Sequence, residues 1–177
     1  MTPFLQETKG GASMRDGEVA LASDPADLPG DAHVIFIGHV GSPWINRDDC
    51  PKNMNRARER DGDAIVEIDA EFRPGLGDLE AASHVIILTW LNLAPRNLIV
   101  QKPRHAPHPK GVFSIRSPAR PNPIGLHIAR LVALDQDAGR LTLDAIDVLD
   151  GTPVIDVKPY YASIDSFPDA VTERQEK

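Results

Sequence analysis

Apolar residues in this 177-residue chain fall in short runs rich in β-branched side chains, each stopped by glycine, proline or aspartate. Almost none repeat at the 3.6-residue spacing of a helix. The runs at 34–40 (VIFIGHV), 64–68, 84–91, 112–115, 126–134 and 140–148 predict at least six short strands. The first runs into a Gly41-Ser42-Pro43 turn, and the third is apolar enough to be buried on both faces. Only 77–83 offers two turns of helix. Strands at this spacing without regularly interleaved helices predict a mainly β, antiparallel barrel or sandwich rather than a doubly wound Rossmann-type sheet.

The length fits one domain, and hydrophobic residues at 41% with charged residues at 25% allow a buried core. Residues 1–30 are polar and broken by Gly10-Gly11, Asp24-Pro25 and Pro29-Gly30. They read as a flexible or loosely docked arm before a domain at 31–168 and a short tail at 169–177. The single cysteine, Cys50, excludes an intrachain disulfide, and with no CxxC or Cys/His cluster the expectation is a cytoplasmic protein without metal. No apolar leader opens the chain and no run is long enough for a bilayer, so neither membrane nor export is expected.

Charge is placed unevenly. The chain has 19 basic and 26 acidic residues, a formal charge of −7 that argues against general coating of nucleic acid, with no DNA partner expected. Yet no acid lies between Glu80 and Asp135, where Arg96, Lys102, Arg104, Lys110, Arg116, Arg120 and Arg130 stand. One reading pairs these cations with acids elsewhere in the fold; the other makes them a basic face for a phosphate-bearing partner such as RNA, with Lys102, Arg104 and Lys110 among the contacts.

Inside that stretch, Arg116-Ser117-Pro118-Ala119-Arg120-Pro121-Asn122-Pro123-Ile124-Gly125 carries three prolines. They hold Ser117, Arg120 and Asn122 out of the helical basin and present Arg120 and Asn122 with little entropy left to lose on binding. Gly125 then permits close backbone approach. A rigid connection with no ligand is the competing reading. Further on, Asp150-Gly151 signals a turn; Pro153 is expected to end any ladder there and to leave the turn's amides free for a ligand. A hairpin turn without function fits equally.

Other signals are discounted. Gly75-Leu76-Gly77 resembles the start of a dinucleotide fingerprint, but Glu80 replaces the third glycine and no βαβ pattern surrounds it. His105 and His108 sit among prolines, which disfavours a helical ligand pair, while His39 and His84 read as hydrogen-bonded core histidines. There is no GxSxG or Walker motif, and Cys50 beside Pro51 lacks a helix start to activate it.

Taken together, IGHVGSPW at 37–44, Cys50-Pro51-Lys52-Asn53, SHVIIL at 83–88, GVFSIRSPARPNPIGL at 111–126 and DVLDGTPVIDVKPY at 147–160 resemble the TsaA/YaeB/TrmO family over residues 33–168. The resemblance implies a non-Rossmann β-barrel methyltransferase that uses S-adenosylmethionine, a homodimer, and methylation of N6 of threonylcarbamoyladenosine beside the tRNA anticodon. By position it implies a cofactor site at Lys52, Asn53 and Met54; at Asn92 and Leu93, where well-known members often carry His-Gln; at Arg116 and Leu126; and at Asp150, Gly151, Thr152 and Pro153. Arg120 and Asn122 are then expected on nucleic-acid phosphate or the modified base. Many members continue past the KPY motif into a region that helps hold tRNA, whereas this sequence stops at Lys177, so cofactor binding is the firmer expectation. The alternatives are a non-catalytic module binding S-adenosylmethionine or RNA, and a small-molecule methyltransferase. The methyl acceptor must lose a proton, and Asp147, Asp150 or a backbone carbonyl are open candidates to take it.

Overall fold

The computed structural model describes residues 14–60, 62, 64–104 and 106–171. In chain order the strands are β1 (Val19–Ala20), β2 (Gly38–Gly41), β3 (Ala64–Ile68), β4 (His84–Trp90), β5 (Leu98–Gln101), β6 (Lys110–Gly111), β7 (Ile124–Asp135), β8 (Arg140–Leu143) and β9 (Pro153–Pro159). Two short helices, α1 (Met54–Arg58) and α2 (Ala162–Asp165), join them. Six strands close into an antiparallel barrel in the order β2-β3-β8-β7-β4-β9, and β1-β5-β6 form a separate small sheet. The expected mainly β, non-Rossmann architecture is what the chain adopts. No helix among the described residues is long and apolar enough to cross a membrane.

The barrel is filled by alternation. Val40, Val66, Val85, Ile87, Leu141 and Val154 point inward and are buried, each strand giving every second side chain. β4 follows the same rule, so the expectation of burial on both faces fails: Val85, Ile87 and Thr89 are buried while the alternate residues are half-buried on the outside. Beyond Leu143 the chain leaves the ladder and turns back across one end of the barrel, where Ala145, Ile146 and Val148 act as a plug.

Several sequence expectations shift for identifiable reasons. In 34–40 only the end is strand; Val34, Ile35 and Phe36 are exposed, and the ladder begins where Ile37 N–H meets the carbonyl of Val154. The predicted helix at 77–83 is replaced by 3-10 turns at Ala70–Leu76 and Leu79–Ala81, the second entered through Asp78 at φ 62°. The predicted strand at 112–115 is a 3-10 turn at Val112–Ser114, because Arg120 draws the carbonyls of Val112 and Ile115 towards one guanidinium. β8 stops at Leu143, since Asp144 turns its carboxylate to the Arg130 amide. Pro153 does not end a ladder but opens β9, a position where its missing N–H is tolerated. His39 is not a core residue; it lies on the outer face of β2, 3.1 Å from Glu67. His84 is half-buried, with Nδ1 3.0 Å from the Ser83 hydroxyl. Val19 and Ala20, from the segment read as an arm, pair with β5. Residues 1–13 and 172–177 and His105 lie outside the described residues.

Candidate active site

Strand register brings the two punctuated corners together. On β4, Thr89 faces Gly125 of β7 on one side and Val154 of β9 on the other, and His39 of β2 faces Pro153. The Pro-Asn-Pro corner, the turn after β4 and the Asp-Gly turn therefore share one rim of the barrel. Asn92 and Leu93 are exposed in that turn after β4, and the Leu91 N–H bonds the Pro123 carbonyl at 2.8 Å.

The Asp-Gly turn is held from behind. Amides of Asp150, Gly151 and Thr152 donate to the carbonyls of Trp44, Val40 and Leu149, so the expectation of free turn amides is overturned: β2 and its following turn satisfy the first two, and the turn itself the third. What the turn offers outward is the Asp150 carboxylate, which accepts from Ser42 N–H through Oδ1, and Gly151 at φ 70° with open space where a Cβ would stand. Thr152 is buried and spends its hydroxyl on the Leu149 carbonyl at 2.6 Å.

The proline-rich corner is stapled by its own arginines. Arg120 donates to the carbonyls of Ser117 and Val112 at 2.9 and 2.7 Å and also to that of Ile115. Arg96 stacks on the Trp90 ring at 5.3 Å and donates to the Pro121 carbonyl at 2.7 Å, with the Asn122 side chain 3.5 Å away. Arg116 is exposed and makes a 3.0 Å bond to the carbonyl of Leu126, whose side chain is on the outer face of β7. Thus Arg96, Arg116 and Arg120 bond main-chain carbonyls rather than distant carboxylates.

Lys52 and Asn53 are exposed just before α1. Asn53 caps that helix, its side chain accepting from Arg56 N–H at 3.0 Å, and Met54 packs on the core. Arg58 ties α1 to β7 and to the residue that follows β8, through the Ile128 carbonyl and the Asp144 carboxylate. Cys50, half-buried just upstream, has its thiol pushed up to about 11 by burial and then by the negative charge of Asp147, with Arg60 opposing. The Lys52–Met54 segment is thereby tied to the same end of the barrel as Asp147.

Sequence reasoning missed two side chains here, Thr89 and His127. His127 is buried on the inner face of β7, with Nε2 3.0 Å from the Thr89 hydroxyl and Nδ1 2.6 Å from Asp147. The available signal was alternation: in 125–129 the inward positions are Gly125, His127 and Ala129, and a histidine between two small inward residues calls for partners.

Of the remaining cations, Arg130 is exposed on β7 of the barrel, while Lys102, Arg104 and Lys110 lie on or beside the small sheet. Arg15 donates to the Lys102 carbonyl at 2.6 Å, and Arg15, Lys102, Pro103 and Arg104 line an open hollow of about 430 Å3. Lys110 stands on β6, opposite Gln101.

A family model described as the tRNA-methyltransferase O N-terminal domain matches residues 39–166. The chain belongs to that family. Among its relatives, a probable S-adenosyl-L-methionine-binding protein of Methanothermobacter thermautotrophicus is 41% identical over 131 residues, 74% of this chain and 91% of that protein. One of the same description from Archaeoglobus fulgidus is 40% identical over 76% of this chain but only 35% of its own length. The tRNA (adenine(37)-N6)-methyltransferase of Escherichia coli is 33% identical over 76% of this chain and 60% of that enzyme. The crystal structure of TrmO from Pseudomonas aeruginosa superposes with a TM-score of 0.65 at 33% identity, over 82% of this chain and 62% of that one. The chain thus spans under two thirds of several of the relatives it matches. Within the matched region of this TrmO-family domain lie every rim segment described above and the Thr89–His127–Asp147 chain.

Proposed function

We propose that this TrmO-family chain is an S-adenosylmethionine-dependent methyltransferase that acts on N6 of the threonylcarbamoyl-modified adenosine beside the tRNA anticodon. The observation that carries the reading is the convergence on one barrel rim of Asn92-Leu93, Arg116 with Leu126, and Asp150–Pro153. The residues fit such a cofactor. An exposed guanidinium at Arg116 suits a carboxylate, the Asp150 carboxylate suits an ammonium or sulfonium, and Gly151 leaves room for close approach. When bound, the cofactor supplies an electrophilic methyl group on positively charged sulfur. The chain's task is then orientation, and a barrel stapled by Arg96 and Arg120 provides a fixed rim on which to hold two reactants.

Lys52, Asn53 and Met54 complete the proposed cofactor site. Lys102, Arg104 and Lys110, with Asn122 at the corner, are proposed as contacts to tRNA; Arg120, held by three carbonyls, acts mainly by shaping the loop. A homodimer in the cytoplasm completes the reading, and the exposed Leu93, Ile124 and Leu126 beside the site are apolar surface for a second copy.

The deciding experiment supplies labelled S-adenosylmethionine with tRNA lacking this methyl group, then with a small-molecule extract. Label in tRNA at the expected nucleoside supports the reading. Label only in the extract makes the chain a small-molecule methyltransferase. Binding in calorimetry without any transfer makes it a binding module, the description carried by its archaeal relatives.

A further inference from the structure

Three side chains that belong to different strands form one hydrogen-bonded line just inside the rim. Thr89 comes from the end of β4, His127 from the start of β7 and Asp147 from the plug that crosses the barrel end. Thr89 and His127 are buried at 0% and 5% exposure, whereas the Asp147 side chain keeps 16%. The line therefore opens to the outside only at its carboxylate. Burying such a chain is unfavourable unless every member is paired, and this one is paired end to end. A Cβ on Gly125 would lie 2.3 Å from Thr89 Oγ1 and 2.5 Å from His127 Nε2, so the missing side chain of this glycine is what leaves space for their bond.

Each member also lies close in sequence to a segment of the proposed cofactor site. Thr89 precedes Asn92-Leu93, His127 follows Leu126, and Asp147 precedes Asp150–Pro153. From the Lys52–Met54 side, the Asp147 charge reaches Cys50. The titratable groups that face the carboxylate are thus His127 from β7 and Cys50 from the segment before α1, while Arg60, over Trp44 at 5.5 Å, acts on Cys50. The neighbouring Asp150 carboxylate, by contrast, is tied to Ser42 N–H.

We propose that Asp147 is the group that takes the proton from the methyl acceptor, and that His127 and Thr89 are positioning residues that fix the carboxylate. The proposal rests on the methyltransferase reading and selects one of its open candidates. In the step, the acceptor nitrogen's electron pair forms the bond to the methyl carbon as the sulfur–carbon bond breaks, its electrons returning to sulfur to leave a neutral thioether. The N–H proton passes to Asp147, so charge and atoms balance. With the carboxylate ionised, His127 Nδ1–H donates to its Oδ1 and Nε2 accepts from the Thr89 hydroxyl; the proton taken up sits on the second carboxylate oxygen, Oδ2, while Oδ1 goes on accepting from Nδ1–H. The line can hold one extra proton without losing a bond.

Two measurements test this. The first is the single-turnover rate of label transfer to tRNA between pH 5.5 and 9, with S-adenosylmethionine affinity measured in parallel. Asp147→Asn is expected to slow transfer roughly 100-fold or more and flatten the pH profile while cofactor affinity stays within about twofold. His127→Gln is expected to slow it roughly tenfold and displace the profile, and Thr89→Ser to restore most of what Thr89→Val loses. The second needs no substitution and no activity: nitrogen NMR of the wild-type imidazole near neutral pH is expected to show the His127 Nδ1–H tautomer. Undiminished transfer by Asp147→Asn, or an Nε2–H tautomer in the wild type, overturns the proposal alone. No transfer by the wild type overturns the methyltransferase reading and this proposal with it.

Discussion

Two residues at the rim translate directly into measurable chemistry. Gly125 is required because of what stands over it: with Thr89 Oγ1 and His127 Nε2 inside the volume of a Cβ, Gly125→Ala must push apart a buried hydrogen bond on two strands. Overpacking of this kind costs about 1–3 kcal/mol, so the thermal midpoint should fall by several degrees. A melting curve identical to wild type would show that the rim is looser than its packing implies. Cys50 reports the charge of Asp147. Its thiol is raised from 9.0 to about 11, first by burial and then by that carboxylate, so the protonated form is favoured in the fold. At pH 8 the thiolate is roughly 100-fold scarcer than for an ordinary cysteine, and alkylation should be slowed about as much. Because a raised thiol favours the folded state only while protonated, the associated stability is present below about pH 9 and is lost as pH climbs towards 11. Asp147→Asn removes the second cause of the shift, and iodoacetamide should then react faster with Cys50 at pH 8. An unchanged rate there would mean that the carboxylate does not face the thiol.

Among the elements, the proline-rich loop between β6 and β7 depends on a single side chain. Arg120 gathers the carbonyls of Val112, Ile115 and Ser117, and replacing it by Ala leaves partly buried acceptors without a charged donor. Expected is a stability loss of about 2–3 kcal/mol in denaturant titration with faster proteolysis inside 112–123. Equal stability and equal protease resistance would show that the prolines alone hold the loop. This element also marks where legibility ends. β3, β4 and β7 are visible as apolar runs, since their inward positions are continuous hydrocarbon over most of their length. Val112–Ser114 has the composition of a strand, yet a guanidinium eight residues downstream in the chain bends it into a turn, which no local pattern reports. β9 is concealed by Pro153, which reads as a stop although the first residue of a strand tolerates it. The five residues of α1 carry too short a pattern to show a period. The motif segments of the rim are legible as strings, and Asp150-Gly151 is legible as a turn, with Gly151 at the positive φ that such a turn requires. The Thr89–His127–Asp147 line is not, because it exists only in the register of β4 against β7.

For the molecule as a whole, the unequal placement of charge is the remaining clue to a partner. A net charge of −7 disfavours a polyanion, so the proposed binding to tRNA must be concentrated where acids are missing. Of the seven cations between Glu80 and Asp135, the structure gives Arg96, Arg116 and Arg120 bonds to carbonyls, which the charge count alone could not distinguish from display. Lys102 and Arg104 instead line an open hollow with Arg15, a residue carried there by the pairing of β1 with β5. The N-terminal segment thereby adds a cation to the same surface, together with the Glu18 carboxylate, which accepts from the Lys102 and Arg15 amides. If that surface meets phosphates, every phosphate left unneutralised removes roughly 0.7–0.9 from the slope of log affinity against log salt. Lys102→Glu combined with Arg104→Glu should therefore weaken tRNA binding at low salt by at least tenfold and lower the slope by roughly 1.4–1.8, and adding Arg15→Glu should lower it further. Affinity for S-adenosylmethionine should not move, because the proposed cofactor segments sit on the barrel rim rather than on the small sheet. A filter-binding series at several salt concentrations measures the affinity and the slope together. An unaltered slope in the double variant would assign the hollow to some other anion and leave tRNA to be held by the rim itself.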